Sequence, residues 1–198
     1  MRKLILAAVA ALAAGPALAV PVEPAFTLQI SGSGNVPTLT LTNDHGSAQL
    51  VSFTFTIGDA AYNFDEIYAR TVSVGALTPT LTTGSEDQGG DRTDAFVLSF
   101  VGFDQGETLF WDVDVDIDSA DTTEHYAGVF YNNGAAPNSV ATASFSNGDM
   151  ALFTLPDSPG SLTFAANVTS SAVPLPAALP MLAGALAGAG LLLRRRRG

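Results

Sequence analysis

The sequence predicts an all-β protein: a single antiparallel β-sandwich, jelly-roll or Ig-like, flanked by an N-terminal signal helix and a C-terminal transmembrane helix. Three observations predict it. From Phe26 onward, apolar and polar residues alternate with period two in short runs rich in Thr, Val and Phe, which suit a half-buried pleated surface. Gly, Asn, Asp and Pro punctuate these runs, as turns between antiparallel strands require. The two long apolar segments lie at the ends, outside the alternating region.

The first element is a secretory signal peptide, residues 1–19. Arg2 and Lys3 supply the positive start, Leu4 to Ala14 the apolar core, and Gly15-Pro16 a helix break. Ala17-Leu18-Ala19 places small residues where signal peptidase cuts, so the mature chain starts at Val20. The partners at this end are signal peptidase and the export machinery.

Residues 20–172 form the body. After a Pro-rich leader (20–25), the candidate strands are Phe26–Ile30, Thr38–Thr42, Gln49–Ile57, Thr71–Val74, Ala95–Phe100, Thr108–Ile117, Tyr126–Tyr131, Ser139–Ser146, Met150–Leu155 and Ser161–Val168. Ser52 to Ile57 alternates strictly and puts Phe53, Phe55 and Ile57 on one face. Asn147-Gly148 reads as a type I′ hairpin turn, and Asn132-Asn133-Gly134 as a looser one. Asp65 to Arg70 makes one helical turn at most. Residues 82–94, polar, acidic and Gly-rich, form the longest structureless stretch. Residues 169–172 are a small-residue spacer before the tail.

Composition bounds the function. About 150 residues between the terminal signals suffice for one domain with a sizeable core. The chain has no cysteine, so a protein bound for an oxidising compartment relies on burial, with metal ions as the one further staple. Of the eight basic residues, six lie in the terminal signals. The body keeps Arg70 and Arg92 against all nineteen acids, so it is more acidic than the whole-chain charge of −11. A body of this sign excludes nucleic acid and anionic lipid as charge-driven partners.

The strongest chemical feature is Asp112-Val113-Asp114-Val115-Asp116-Ile117-Asp118. On a strand the aspartates share one face, with successive carboxylates about 6.7 Å apart. Their repulsion must be offset. Solvent does so on an outward-facing strand. Calcium does so by taking six to eight oxygens, in which case Asp116, Asp118 and Asp121 are the metal ligands, with Glu124 close by and Asp104 and Glu107 at the other end of the ladder. The spacing is not that of an EF-hand loop.

No catalytic arrangement emerges, and the sequence predicts no enzyme. His45, in the turn Asn43-Asp44-His45-Gly46, reads as a solvated residue, and His125 as an exposed one. Neither has metal-ligand spacing, and neither a G-x-S-x-G elbow nor a phosphate-cradling glycine motif is present. Trp111 reads as core. Tyr62, Tyr68, Tyr126 and Tyr131 are the candidates for a sugar platform.

The tail, residues 173–198, has three parts: Val173-Pro174-Leu175-Pro176-Ala177, an apolar stretch to Leu193, and the basic run Arg194-Arg195-Arg196-Arg197. Leu175 to Leu193 is about long enough to cross a bilayer core, although Pro176 and Pro180 shorten its regular helix. The arginines keep their end cytoplasmic and leave the body outside. At these residues the chain resembles the VPLPA-CTERM sorting domain, a relative of the PEP-CTERM sorting signals of Gram-negative bacteria. The resemblance implies recognition by an exosortase-type transpeptidase. Before processing the chain is anchored in the inner membrane; after it, the body resides at the cell surface or in an extracellular matrix, with exopolysaccharide as the neighbouring polymer. The turn Phe103-Asp104-Gln105-Gly106-Glu107 leading into the Asp-Val-Asp strand is similar to a pattern recurrent among secreted proteins with such tails. The expected function is therefore a non-enzymatic structural or adhesive role. The alternatives are a calcium- or carbohydrate-binding module and a secreted hydrolase.

Overall fold

The computed structural model describes residues 24–118, 125–131, 137–158 and 163–169. The signal peptide with Ala17 and Ala19, Asp121 and Glu124, the Asn132–Gly134 turn, and the whole tail from Val173 to Arg197 lie outside the described residues. Among the described residues, no helix is long and apolar enough to cross a membrane.

Among the described residues the chain runs β1 (Pro24–Ser31), β2 (Thr38–Asn43), β3 (Leu50–Thr56), β4 (Tyr62–Val74), β5 (Thr78–Thr83), β6 (Ala95–Val101), β7 (Thr108–Ile117), α1 (Tyr126–Phe130), β8 (Val140–Phe145), β9 (Met150–Thr154) and β10 (Thr163–Thr169). The strands pair in the order β4-β7-β2-β1-β10-β9-β8-β3-β6-β5, every pair antiparallel. β10 links the two halves: residues 163–167 pair with β1, and Val168 and Thr169 with β9. The sheet therefore curls, and its halves face each other over one core.

Aromatic rings bridge that core. Phe53 of β3 meets Phe26 of β1 at 5.9 Å and Trp111 of β7 at 5.7 Å. Phe96 of β6 meets Phe64 of β4 at 4.9 Å and Trp111 at 6.0 Å. These centroid distances and the mostly edge-on angles suit the ring quadrupoles. Phe53 and Phe55 point inward and Ser52, Thr54 and Thr56 outward, as the strict alternation requires.

The fold corrects the sequence reading in four places. Residues 126–131, read as a strand, form the short helix α1 ending at Tyr131, because His125 accepts the Ala127 amide and caps it. Tyr126, Val129 and Phe130 still bury, on one helical side rather than alternately. Residues 65–70, read as a single helical turn, belong to a thirteen-residue strand that is broken by bulges. Residues 82 and 83 belong to β5, which the sequence reading missed, so the irregular segment begins at Gly84. The β8–β9 turn has Ser146 and Asn147 at its centre. Gly148 donates to Phe145, and its φ of +88° takes the positive-φ position that follows.

The connections sort to two poles. The start of β1 pairs with the end of β10, Pro24 opposite Asn167. Phe26 is opposite Asn43, and Thr42 opposite Thr108. The two ends of the described body therefore leave from one pole, shared with connections 44–49, 75–77, 102–107 and 146–149. Connections 32–37, 57–61 and 84–94 lie at the other pole. There Gly58 packs against the backbone at Pro137, where an added Cβ would lie 1.6 Å from the carbonyl oxygen. Gly58→Ala is expected to cost about 1–3 kcal/mol by overpacking, read as a lower urea midpoint. An unchanged midpoint would contradict the close approach of these two connections.

Candidate functional site

The acidic ladder lies where β7 runs past the start of β2, at Thr38, toward the far pole. Leu109, Trp111, Val113 and Val115 are buried in the core, and Asp112, Asp114 and Asp116 take the opposite face, as the period-two pattern predicts. That face is not open to water. Asp114 is 7% exposed and Asp116 2%.

Neighbouring segments cover it. β4 pairs with β7 with Asn63 opposite Asp116, Phe64 opposite Val115 and Glu66 opposite Asp114, so Asp65 is the extra residue of a bulge. Phe64 and Ile67 both bury in the core, which turns Asp65 and Glu66 together to the ladder side. Residues 84–94 fold over this edge: Phe64 and Ile67 donate to the carbonyls of Thr93 and Ser85, at 2.9 and 2.8 Å. Gly89 donates to Asp65 Oδ1 at 2.9 Å, and Arg92 Nε lies 3.8 Å from the same oxygen. From the other side, Asn35 Nδ2 donates to Asp114 Oδ1 at 2.6 Å.

The result is a cluster of Asp65, Asp114 and Asp116, all buried, each offering a carboxylate oxygen within 4.8 Å of the other two. Asn63 joins it. This residue is 1% exposed, its Nδ2 donates to Asp118 Oδ1 at 3.0 Å, and its Oδ1 has no hydrogen-bond partner.

Burial first, then the Asp116 and Asp65 carboxylates, push the Asp114 carboxyl up from 3.8 to about 6. A group that holds its proton more tightly folded than unfolded makes stability fall as pH rises. Its contribution is intact below 3.8 and is lost as pH passes about 6. The cation-free protein should therefore lose melting temperature between about pH 4 and pH 6, and Asp114→Asn should flatten that fall. A variant with an unaltered pH profile would contradict the assignment of the shift to Asp114.

Of the three metal ligands expected from the sequence, Asp116 is in the cluster. Asp118 is exposed, one step beyond the strand, and receives the Asn63 amide. Asp121 lies outside the described residues. Asp104 and Glu107 stay in their own turn at the opposite pole, where Glu107 accepts from the amides of Asp104 and Ala76. Asp65 and Asn63 were missed. The spacing of Phe64 and Ile67, three apart around two acids, was the available signal, since two inward residues at that spacing on one strand require a bulge.

His45 is not a solvated turn residue. It is 3% exposed and packs on Phe145 at 4.7 Å. Its Nδ1 accepts from the Ser47 amide, and its Nε2 lies 3.0 Å from Asp149 Oδ2. Hydrogen bonds from His45, then Asn147, hold the Asp149 carboxyl below its ordinary range. Both ring nitrogens are thus committed to fastening the turn, beside a polar recess of about 340 Å³ lined by Gln49, Asp104 and Ser146 among others. His125 is exposed, as expected, and acts as the helix cap. Trp111 is fully buried, Tyr126 and Tyr131 are buried, and Tyr62 and Tyr68 half-buried. Among the described residues, then, the tyrosines form no exposed platform.

The outer face of the other half-sheet has a different character. Thr80, Ser99, Ser52, Ser144 and Met150 form one row across five strands, and Val97, Thr54, Thr142 and Leu152 the next. No charged side chain interrupts these rows, although the chain is strongly acidic.

No family model matches the chain, and no curated protein matches it. Among solved structures it is similar to a family 3b carbohydrate-binding module from the biomass-sensing system of Clostridium clariflavum, at 11% identity and a TM-score of 0.30, over 70% of this chain and 95% of that one. A likeness this remote carries no conclusion about the site.

Proposed function

We propose that residues 20–172 are an exported, non-enzymatic β-sandwich with a structural or adhesive role at the cell surface or in an extracellular matrix. In this reading the body is freed by signal peptidase after Ala19 and passed on by an exosortase-type enzyme acting near Val173–Ala177. The supporting observation is the pairing of Pro24 with Asn167. The two ends of the described body, Pro24 and Thr169, leave from one pole, so cutting beyond either would leave every described core residue in place. Tethering at that pole directs the acidic end away from the membrane. Along β7, Asp116 stands about 27 Å from Thr108 at the tethered pole.

Fractionation of the producing cells tests this reading. The body should be degraded by protease added to intact cells and should co-purify with the surface or matrix fraction. Full protection in intact cells would contradict it.

The second reading, a carbohydrate-binding module, is favoured by the uncharged rows of Thr, Ser and Val on the β5-β6-β3-β8-β9 face. An uncharged hydroxyl-bearing face suits a neutral polymer, because it imposes no cost for desolvating charge. Co-sedimentation with an insoluble neutral glucan, abolished by Thr54→Glu with Thr142→Glu, is the outcome that separates this reading from a purely structural one.

A further inference from the structure

The geometry points to a calcium site at the far pole, made by the carboxylates of Asp65, Asp114 and Asp116 and the amide oxygen of Asn63. This assignment does not depend on how the chain is exported. Three independent features of the chain converge on it.

The first is the oxygen cluster. One carboxylate oxygen from each of three buried aspartates lies within 4.8 Å of the others. Oxygens bound to one calcium at about 2.4 Å stand up to about 4.8 Å apart, so the cluster has the span of a coordination shell. The donors are all hard oxygens, and the chain has no cysteine, which disfavours zinc and copper.

The second is Asn63, which is not acidic and has no repulsion of its own to relieve. Its Oδ1 is buried and unpartnered. A buried amide oxygen left unpaired costs about 1–3 kcal/mol. Its register partner on β7 is Asp116, and Asp65 follows two residues later on the same strand. With Nδ2 committed to Asp118, Oδ1 is the unpaired edge of an amide whose register partner is Asp116. A cation there gives that oxygen a partner.

The third is the scaffold. Asp114 and Asp116 stand on β7 where it pairs with β4, and Asp65 on a bulge between Phe64 and Ile67, whose amides are tied to residues 84–94. Arg92 Nε lies 3.8 Å from Asp65 Oδ1, and Arg92 also donates to the Ile117 carbonyl. One guanidinium carries a single positive charge against three buried carboxylates. A divalent ion adds the missing charge and binds water or backbone oxygens at its remaining positions, as calcium sites do.

The experiment is a thermal melt of the full chain in mild detergent, followed by the fluorescence of Trp111, in calcium and in chelator. Calcium at about a hundredfold excess over its dissociation constant should raise the midpoint by about 5–10 °C. Asp65→Asn with Asp116→Asn should abolish the rise. In chelator this variant should melt no lower than the unaltered chain, because two buried charges have been removed. Asn63→Ala keeps every charge and should still weaken calcium binding severalfold. On the unaltered chain, terbium should be sensitised by the nearby Tyr68 and displaced by calcium.

Superposed melts in calcium and chelator would overturn the proposal. So would a calcium rise that survives the double substitution, an unchanged affinity in Asn63→Ala, or a magnesium effect equal to that of calcium.

Discussion

Trp111→Ala should lower the unfolding free energy by about 3–5 kcal/mol, the cost of truncating a large aromatic in a packed core. Trp111 is fully buried on β7 and meets Phe53 of β3 and Phe96 of β6 at 5.7 and 6.0 Å. Its indole therefore spans the gap between the two halves of the sheet. Removing it leaves a cavity where both halves depend on contact. Trp111→Phe should cost much less: a ring remains, and the buried indole Nε1 has no hydrogen-bond partner to lose. Urea unfolding followed by circular dichroism reads both, with a lowered midpoint and an unchanged slope for the alanine variant. A loss below about 1 kcal/mol would contradict the packing of Trp111 between the halves.

Pro174→Ala with Pro176→Ala should abolish surface retention while leaving the fold untouched. The described body ends at Thr169, paired with Met150 of β9. The substitutions lie beyond the last described sheet pairing and are expected not to change the melting midpoint. What they change is the five-residue motif that the transpeptidase is proposed to read. The expected result is chain held in the inner membrane by an unprocessed tail, with the surface pool lost. Surface levels equal to those of the unaltered chain would remove the sorting function from this motif.

Much of the sandwich was legible because each half-sheet buries one face. Ser52 to Ile57 and Thr108 to Ile117 alternate with the period of the pleat, and their strands formed with nearly the expected bounds. Tyr126 to Tyr131 misled because Tyr, Val, Phe and Tyr at these spacings fit a strand and a single helical turn equally well, and the His125 cap decides between them. Asp65 to Arg70 misled because bulges break the period of β4. The ladder was legible as one face of aspartates. Its burial was not, because the cover comes from residues distant in sequence, Asn35 on one side and 84–94 on the other. The burial of His45 was hidden likewise, since its partners Phe145 and Asp149 lie a hundred residues away.

The most direct test of the proposed export and processing is the intact mass of the protein recovered from the surface or matrix of cells that make it. A chain beginning at Val20 and ending near the Val173–Ala177 motif, without Arg194 to Arg197, is the predicted result. A surface chain that retains the arginines, or that begins at Met1, would contradict it.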